Sequence, residues 1–198
     1  MLIDGTDIFL TPITYDDTLD IVQWRNEDFV RKNFIYQKPF TPETHRHWMK
    51  TMVETGRTVQ FIIWERSSNR KIGSVYLRDI DSSNKKAEFG IFIGEADCLG
   101  KGYGKAATCL ITSYAFSQLN LNKIYLRLLA HNKRAYQCYK NAGFVQEGCF
   151  KQDVILYSEP YDVIFMAKFA DPTSASNQTT RSSFLCITTP PPNGYKLS

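Results

Sequence analysis

Three runs rich in β-branched and aromatic residues follow one another with short polar breaks: Thr58–Arg66, Lys71–Ile80 and Lys86–Glu95. The breaks, around Ser67–Arg70 and Ser82–Lys85, are far too short for a crossover helix. Strands joined this way pair antiparallel, so this part of the chain reads as a meander. Directly after it comes Cys98–Cys109, CLGKGYGKAATC, and then apolar residues recur at helical spacing: Ala106, Leu110, Ile111, Tyr114 and Ala115. A meander, a glycine-rich turn and a helix in that order restrict the chain to a mixed α/β class with a largely antiparallel sheet.

The flanking sequence extends the same plan. Asp7–Ile13 reads as a first strand. Thr14 and Asp17 have capping-box spacing, and Leu19 and Val22 predict a helix running toward Trp24 and Arg25. A short helical piece covers Phe29–Asn33. Thr41-Pro42-Glu43 starts another helix, whose His45, Trp48, Met49, Met52 and Val53 share one face and which Gly56 ends. After the central helix, Lys123–Ala130 is a strand, and Asn132 and Gly143 bracket a helix as N-cap and C-cap. Phe144–Tyr157 and Tyr161–Phe169 close the domain as a hairpin around Ser158–Pro160.

From about residue 170 the chain turns to Ser, Thr, Pro and Asn with little apolar periodicity. The working domain is therefore residues 1–169, and 170–198 reads as a disordered or non-native tail. The net charge of +4 suits an anionic small molecule and falls short of the dense basic patch of a nucleic-acid binder. No apolar run is long enough for a membrane span, and the N-terminus lacks the pattern of a signal peptide. Five cysteines without CxxC spacing indicate neither a disulfide framework nor a zinc site, which fits a reduced, cytoplasmic setting.

A glycine-rich turn before a helix frees the backbone to approach a ligand, and the first helical turn offers bare N–H groups to an anion. Lys101 and Lys105 add charge. The spacing matches neither a P-loop nor a dinucleotide fingerprint. Taken alone, the stretch reads equally as a structural turn.

The order of elements, GKGYGKAA and the later NKRAYQCYKNAGF resemble the GNAT superfamily of N-acetyltransferases over nearly all of residues 7–169. The most specific piece is the Asn-x-x-Ala-x-x-x-Tyr-x-x-x-Gly-Phe pattern at 132–144, which is similar to the branch holding the ribosomal-protein alanine acetyltransferases. The resemblance implies a mostly antiparallel seven-stranded sheet flanked by about four helices. It implies acetyl-CoA as cosubstrate and no metal. It places Leu99, Gly100, Lys101, Gly102, Tyr103, Gly104 and Lys105 around the pyrophosphate. Gly102 and Gly104 take the family's glycine places, and Leu99 stands where Gln or Arg is usual. It also implies a bulge in the preceding strand, where backbone N–H groups of Phe92–Gly94, with Phe92 and Ile93 lining, face pantetheine and the thioester oxygen. Asn132 meets the pantetheine, caps its helix, or does both.

Acetyl transfer from a thioester to an amine needs an oxyanion donor, alignment, an unprotonated amine and a proton for the leaving thiolate. The resemblance makes Tyr139 the acid. Glu88 is a candidate base; it reads equally as a solvent-facing carboxylate opposite Lys85 or Lys86. His45 is the other candidate base, or a packed core histidine.

The acceptor region pairs Trp24-Arg25-Asn26 with a His45-x-x-Trp48 motif, a combination that resembles N-acetyltransferases of UDP-linked amino sugars. Arg25 and Arg31 would then meet phosphate, and Trp48 or Phe34 would stack on a base or sugar, with His45 nearby. The same residues also suit a packed wall. The expected partner is a small-molecule amine, a nucleotide-sugar before a protein N-terminus, acting on a monomer or homodimer with no nucleic acid or membrane. A non-catalytic acyl-CoA-binding module is the reading from another class. An acceptor opening lined by Arg25 or Arg31 would support the nucleotide-sugar, and one lined by Asp16, Asp17, Glu27 and Asp28 would oppose it.

Overall fold

The computed structural model describes residues 2–171. Residues 172–198, which are most of the expected tail and include Cys186, lie outside the described residues.

The elements in chain order are β1 (Ile3–Asp4), β2 (Ile8–Pro12), α1 (Thr18–Asn26), α2 (Asp28–Arg31), α3 (Pro42–Trp48), β3 (Val59–Glu65), β4 (Arg70–Asp81), β5 (Lys86–Ile93), α4 (Tyr103–Ser117), β6 (Lys123–Leu129), α5 (Lys133–Asn141), β7 (Val145–Leu156) and β8 (Glu159–Phe169). One eight-stranded sheet runs in the order β1-β2-β3-β4-β5-β6-β8-β7. The class is the expected one, with one strand more than seven and five α-helices where about four were expected. The extra strand is β1, whose two residues pair Ile3 with Leu10 and Asp4 with Phe9, too short to leave an alternating pattern.

The helix signals have clear physical origins. Thr41 accepts the Thr44 N–H at α3, Pro42 sits at the first turn, and Asn132 accepts the Ala135 N–H at 3.1 Å to cap α5. After α3 the chain widens into a π-helical turn, Met49–Val53, before Gly56 at φ +72°. Leu19 is exposed on α1, and Ile21 and Trp24 are its buried apolar anchors.

The sheet separates two cores. Ala107, Ile111 and Ala115 of α4 pack with Val75, Leu77, Ala87, Phe89, Ile124 and Leu126 on one face. On the other, Ile21 and Trp24 of α1 pack with Val30, Met49, Ile62 and Phe92. Each of the larger side chains among them, Val, Leu, Ile, Phe or Met, contributes about 1.5–3 kcal/mol on burial. Along β5 the two-residue period therefore sends Ala87 and Phe89 toward α4, and Phe92 toward α1.

β5 and β6 are the parallel pair, and they are in register only over Lys86–Glu88 with Lys123–Tyr125. Beyond Glu88 β5 continues along β4, while β6 continues along β8. A wedge opens between them. The bulge expected in the strand before the glycine turn is not found in β5, whose register with β4 runs unbroken from Gly73–Ile93 to Arg78–Glu88. The irregularity lies on the neighbouring strand between Arg78 and Asp81, where Asp79 has φ +51°.

Candidate active site

The wedge opens into a cavity of about 970 Å³ that reaches from the glycine turn to the face beneath α1–α3. At one end lie Leu99, Gly100, Gly102, Tyr103, Gly104 and Lys105. Gly100 and Gly102 have φ of +79° and +87°, and a Cβ at either would meet open space. Glycine is needed there for backbone conformation rather than for packing. Behind the turn, Tyr103 donates its phenol hydrogen to Glu65 Oε1 at 2.8 Å. That bond, with burial, pushes the Tyr103 pKa up to about 12. Ser68 and Tyr103 together hold the Glu65 carboxyl below the usual carboxylate range. Lys101 turns toward this carboxylate, its Nζ 3.6 Å from Glu65 Oε1, and does not line the cavity. Its expected place beside the pyrophosphate is therefore corrected: the nearby carboxylate draws it to the back of the turn.

Phe92, Ile93 and Asn132 line the middle of the cavity, as does Tyr139 from α5. Tyr139 packs edge-on against Phe89 at 5.7 Å, and no described residue hydrogen-bonds its hydroxyl. Burial pushes its pKa well up, so the phenol keeps its proton through the neutral range. Cys138, beside it, is also pushed up by burial.

The floor is a charge ladder across three strands. Glu88, 7% exposed, accepts from Arg78 Nη2 at 2.9 Å and from Arg127 Nε at 3.1 Å through Oε1. Its Oε2 accepts from Arg127 Nη2 at 3.3 Å. The expected lysine neighbours, Lys85 and Lys86, are not its partners. Arg78 is directly opposite Glu88 in the β4–β5 register, and Arg127 reaches over from β6.

The far wall comes from α1–α3. Arg25 lines the cavity with its guanidinium 3.5 Å from the Phe34 ring centre. Its Nη2 is 3.5 Å from the Tyr36 carbonyl, and its Nη1 is buried without a partner. Arg31 is turned away: it pairs with Asp28 at 2.6 Å, one helical turn back, outside the cavity lining. Its expected role at the acceptor opening is corrected accordingly. Trp48 lines the cavity, donates to Gln60 at 2.9 Å and meets Tyr76 edge-on at 6.3 Å.

His45 also lines the cavity and is 1% exposed. Its Nδ1 lies 3.0 Å from Thr18 Oγ1, whose own hydrogen goes to the Tyr15 carbonyl at 2.7 Å. Nδ1 must therefore carry the hydrogen, and Nε2 is left as a buried lone pair without a partner. Burial lowers the His45 pKa to about 4, so the ring is neutral at pH 7.

Tyr76, Arg78 and Arg127 had not been singled out from the sequence. The two-residue period of Lys71–Ile80 places Tyr76 and Arg78 on one face, but nothing local says that this face borders a cavity. Asp16, Asp17, Glu27 and Asp28 do not line it, and Glu88 is its one carboxylate among the described residues. No described group of three or more His, Cys, Asp or Glu is arranged to hold a metal ion.

A family model described as an acetyltransferase (GNAT) domain matches residues 7–145. An uncharacterized protein of Methanocaldococcus jannaschii is 29% identical over 144 residues, covering 71% of this chain and 28% of its own length. The spermidine N(1)-acetyltransferase of Vibrio cholerae is 33% identical over 104 residues, covering 52% of this chain and 59% of its own length. The chain thus spans less than two thirds of either relative. Among solved structures, the spermidine N-acetyltransferase from Vibrio cholerae in complex with CoA and spermine matches with a TM-score of 0.77 at 23% identity. That match covers 83% of this chain and 96% of the other, and it shows a common fold.

Proposed function

The chain belongs to the GNAT acetyltransferase family, and from that membership and the cavity we propose that it transfers an acetyl group from acetyl-CoA to the primary amine of a nucleotide-linked amino sugar. The amine attacks the thioester directly in a ternary complex.

The donor end fits acetyl-CoA. Gly100 and Gly102 bare their backbone at the N-terminus of the fifteen-residue helix α4, an arrangement that receives a pyrophosphate. The edge of β5 that faces away from β4 beyond Glu88 has no strand partner among the described residues, which suits an extended pantetheine arm bonded to its amide groups. Backbone N–H groups of Phe92–Gly94 then polarise the thioester carbonyl. Asn132 caps α5 and so fixes the helix that carries Tyr139.

Tyr139 supplies the proton to the leaving thiolate, and its raised pKa keeps that proton in place. Direct attack is supported by Cys138, whose thiol is pushed away from the nucleophilic thiolate form. Glu88 has three N–H contacts on its two oxygens, so we assign it to holding the charged floor and the removal of the amine proton to water. The His45 lone pair is a hydrogen-bond acceptor, and its low pKa makes it a weak base.

The observation that carries the choice of acceptor is the charge of the lining. Arg25, Arg78 and Arg127 face one carboxylate, which is already shared by two of them. Spermidine, named for the Vibrio relative, is a polycation and needs free carboxylates, whereas the one carboxylate in the described lining is held by Arg78 and Arg127. A phosphate-bearing acceptor complements it. The test is thiol release from acetyl-CoA with UDP- and dTDP-linked amino sugars, N-terminal peptides and spermidine. Turnover restricted to the nucleotide-linked amines is expected. Faster turnover with spermidine or a peptide would overturn the acceptor assignment.

A further inference from the structure

The floor and far wall of the cavity hold three donors with too few acceptors. Tyr76 lines the cavity, and no described residue hydrogen-bonds its hydroxyl. Its ring tip lies over the backbone of β5: a Cβ at Gly90 would fall well inside van der Waals contact of Cζ and the hydroxyl oxygen. Two residues from Arg78 along β4, Tyr76 shares that strand's cavity face with the floor, and it meets Trp48 of the far wall edge-on at 6.3 Å.

The two guanidinium groups beside it are incompletely satisfied. Arg78 gives Nη2 to Glu88, its Nε has no hydrogen-bond acceptor among the described residues, and Asp79 lies beyond hydrogen-bond distance at 3.9 Å. Arg25 has no ion-pair partner among the described residues. It is held by the Phe34 ring and one long contact to a carbonyl. Burial pushes the Arg25 pKa down, and the charge of Arg78 pushes it the same way. Burying a cation without a counter-charge is costly. An anion in the cavity would supply the counter-charge that Arg25 lacks and add to the one that Arg78 shares with Arg127.

We propose that Arg25, Tyr76 and Arg78 form the receiving site for a phosphate group of the acceptor, distinct from the glycine turn that receives the phosphates of the donor. Three donors from α1 and β4 suit the several oxygens of a phosphate better than the two coplanar oxygens of a carboxylate. The site rests on the nucleotide-linked reading of the acceptor and gives that reading its contacts. Gly90 belongs to the design, since any side chain there would drive the Tyr76 hydroxyl off its place.

The test uses the full chain saturated with CoA, so that the glycine turn is already filled, and measures binding of UDP by calorimetry and thermal shift. UDP is expected to bind, raise the melting temperature and compete with the amine acceptor. Tyr76→Phe and Arg78→Gln should each weaken UDP about tenfold, as loss of one charge-assisted contact does, while leaving the Kd for CoA unchanged. Tyr76→Phe removes a single oxygen, so it keeps the test informative if Arg78→Gln disturbs Glu88 and the fold. UDP binding that is absent, or unchanged in Tyr76→Phe, overturns the site, and so does protection by malonate equal to that by UDP. If UDP-linked amines are still acetylated in that event, the proposed reaction stands and this site alone fails. If no nucleotide-linked amine is acetylated, the reading of the acceptor fails with it.

Discussion

Tyr76 and Gly90 are register partners on adjacent strands, and the phenol of one occupies the space where a side chain of the other would be. The missing Cβ is what lets a large polar side chain lie flat against β5 at the mouth of the wedge. Gly90→Ala should therefore act on the acceptor side. We expect kcat/KM for the amine to fall about tenfold, with overpacking costing about 1–3 kcal/mol of stability. The KM for acetyl-CoA should not move. Steady-state kinetics with each substrate varied in turn checks this, and a change confined to acetyl-CoA would show that the glycine serves the donor.

Tyr139→Phe removes the proposed acid and keeps the ring that packs on Phe89 and Phe144. A loss of about 100-fold or more in kcat is expected, with CoA affinity intact. Because burial raises the Tyr139 pKa, the wild-type kcat profile should show no descending limb from this group up to pH 10. Stopped assays across pH test both points; a variant as fast as the wild type at every pH removes Tyr139 from the chemistry.

Tyr103 braces the glycine turn, the proposed donor site, from behind through Glu65. Tyr103→Phe should raise the KM for acetyl-CoA several-fold and leave kcat near the wild-type value, since the brace touches neither the thioester nor the amine. Glu65, held low by Ser68 and Tyr103, adds stability that is present above the usual carboxylate pKa and lost as pH falls through its lower, folded value. An acid titration followed by circular dichroism should find Tyr103→Phe unfolding at a higher pH than the wild type. Coincident curves would mean that the hydrogen bond does not contribute.

His45 titrates in the opposite region of interest, between its ordinary pKa of 6.5 and the value of about 4 in the folded protein. The unfolded chain binds the extra proton in that window and the folded one does not. Stability therefore rises with pH from 4 to 6.5, and falls on acidification by up to about 1.4 kcal/mol per unit. His45→Phe should flatten this slope, because Thr18 keeps its hydrogen bond to the Tyr15 carbonyl and is not stranded. Melting temperatures of both proteins between pH 4 and 7 decide the matter.

Local signals carried the architecture. The two polar turns of the meander, the Thr41-Pro42 start, the Asn132 cap and the glycines at 102 and 143 all act within a few residues of where they are read. The glycine turn was legible for the same reason: it and its helix are contiguous. Lys101 shows the limit, since its charge is claimed by Glu65 from a strand far back in the chain. The acceptor end was only partly legible. Arg25 and Arg31 look alike in sequence, yet one inserts among Phe34, Phe40 and Phe92 and the other stays with Asp28 on the surface. The Arg78–Glu88–Arg127 ladder joins three strands through long-range register, and that register has no trace at any single position.

A single-vessel competition separates the possible acceptors. The enzyme is given limiting acetyl-CoA and equal concentrations of a UDP-linked amino sugar and spermidine, and the acetylated products are counted by mass spectrometry. Their ratio is the ratio of the two kcat/KM values. The cationic lining predicts that the acetylated nucleotide sugar dominates and that added salt narrows its lead. Predominant acetylspermidine would contradict the account.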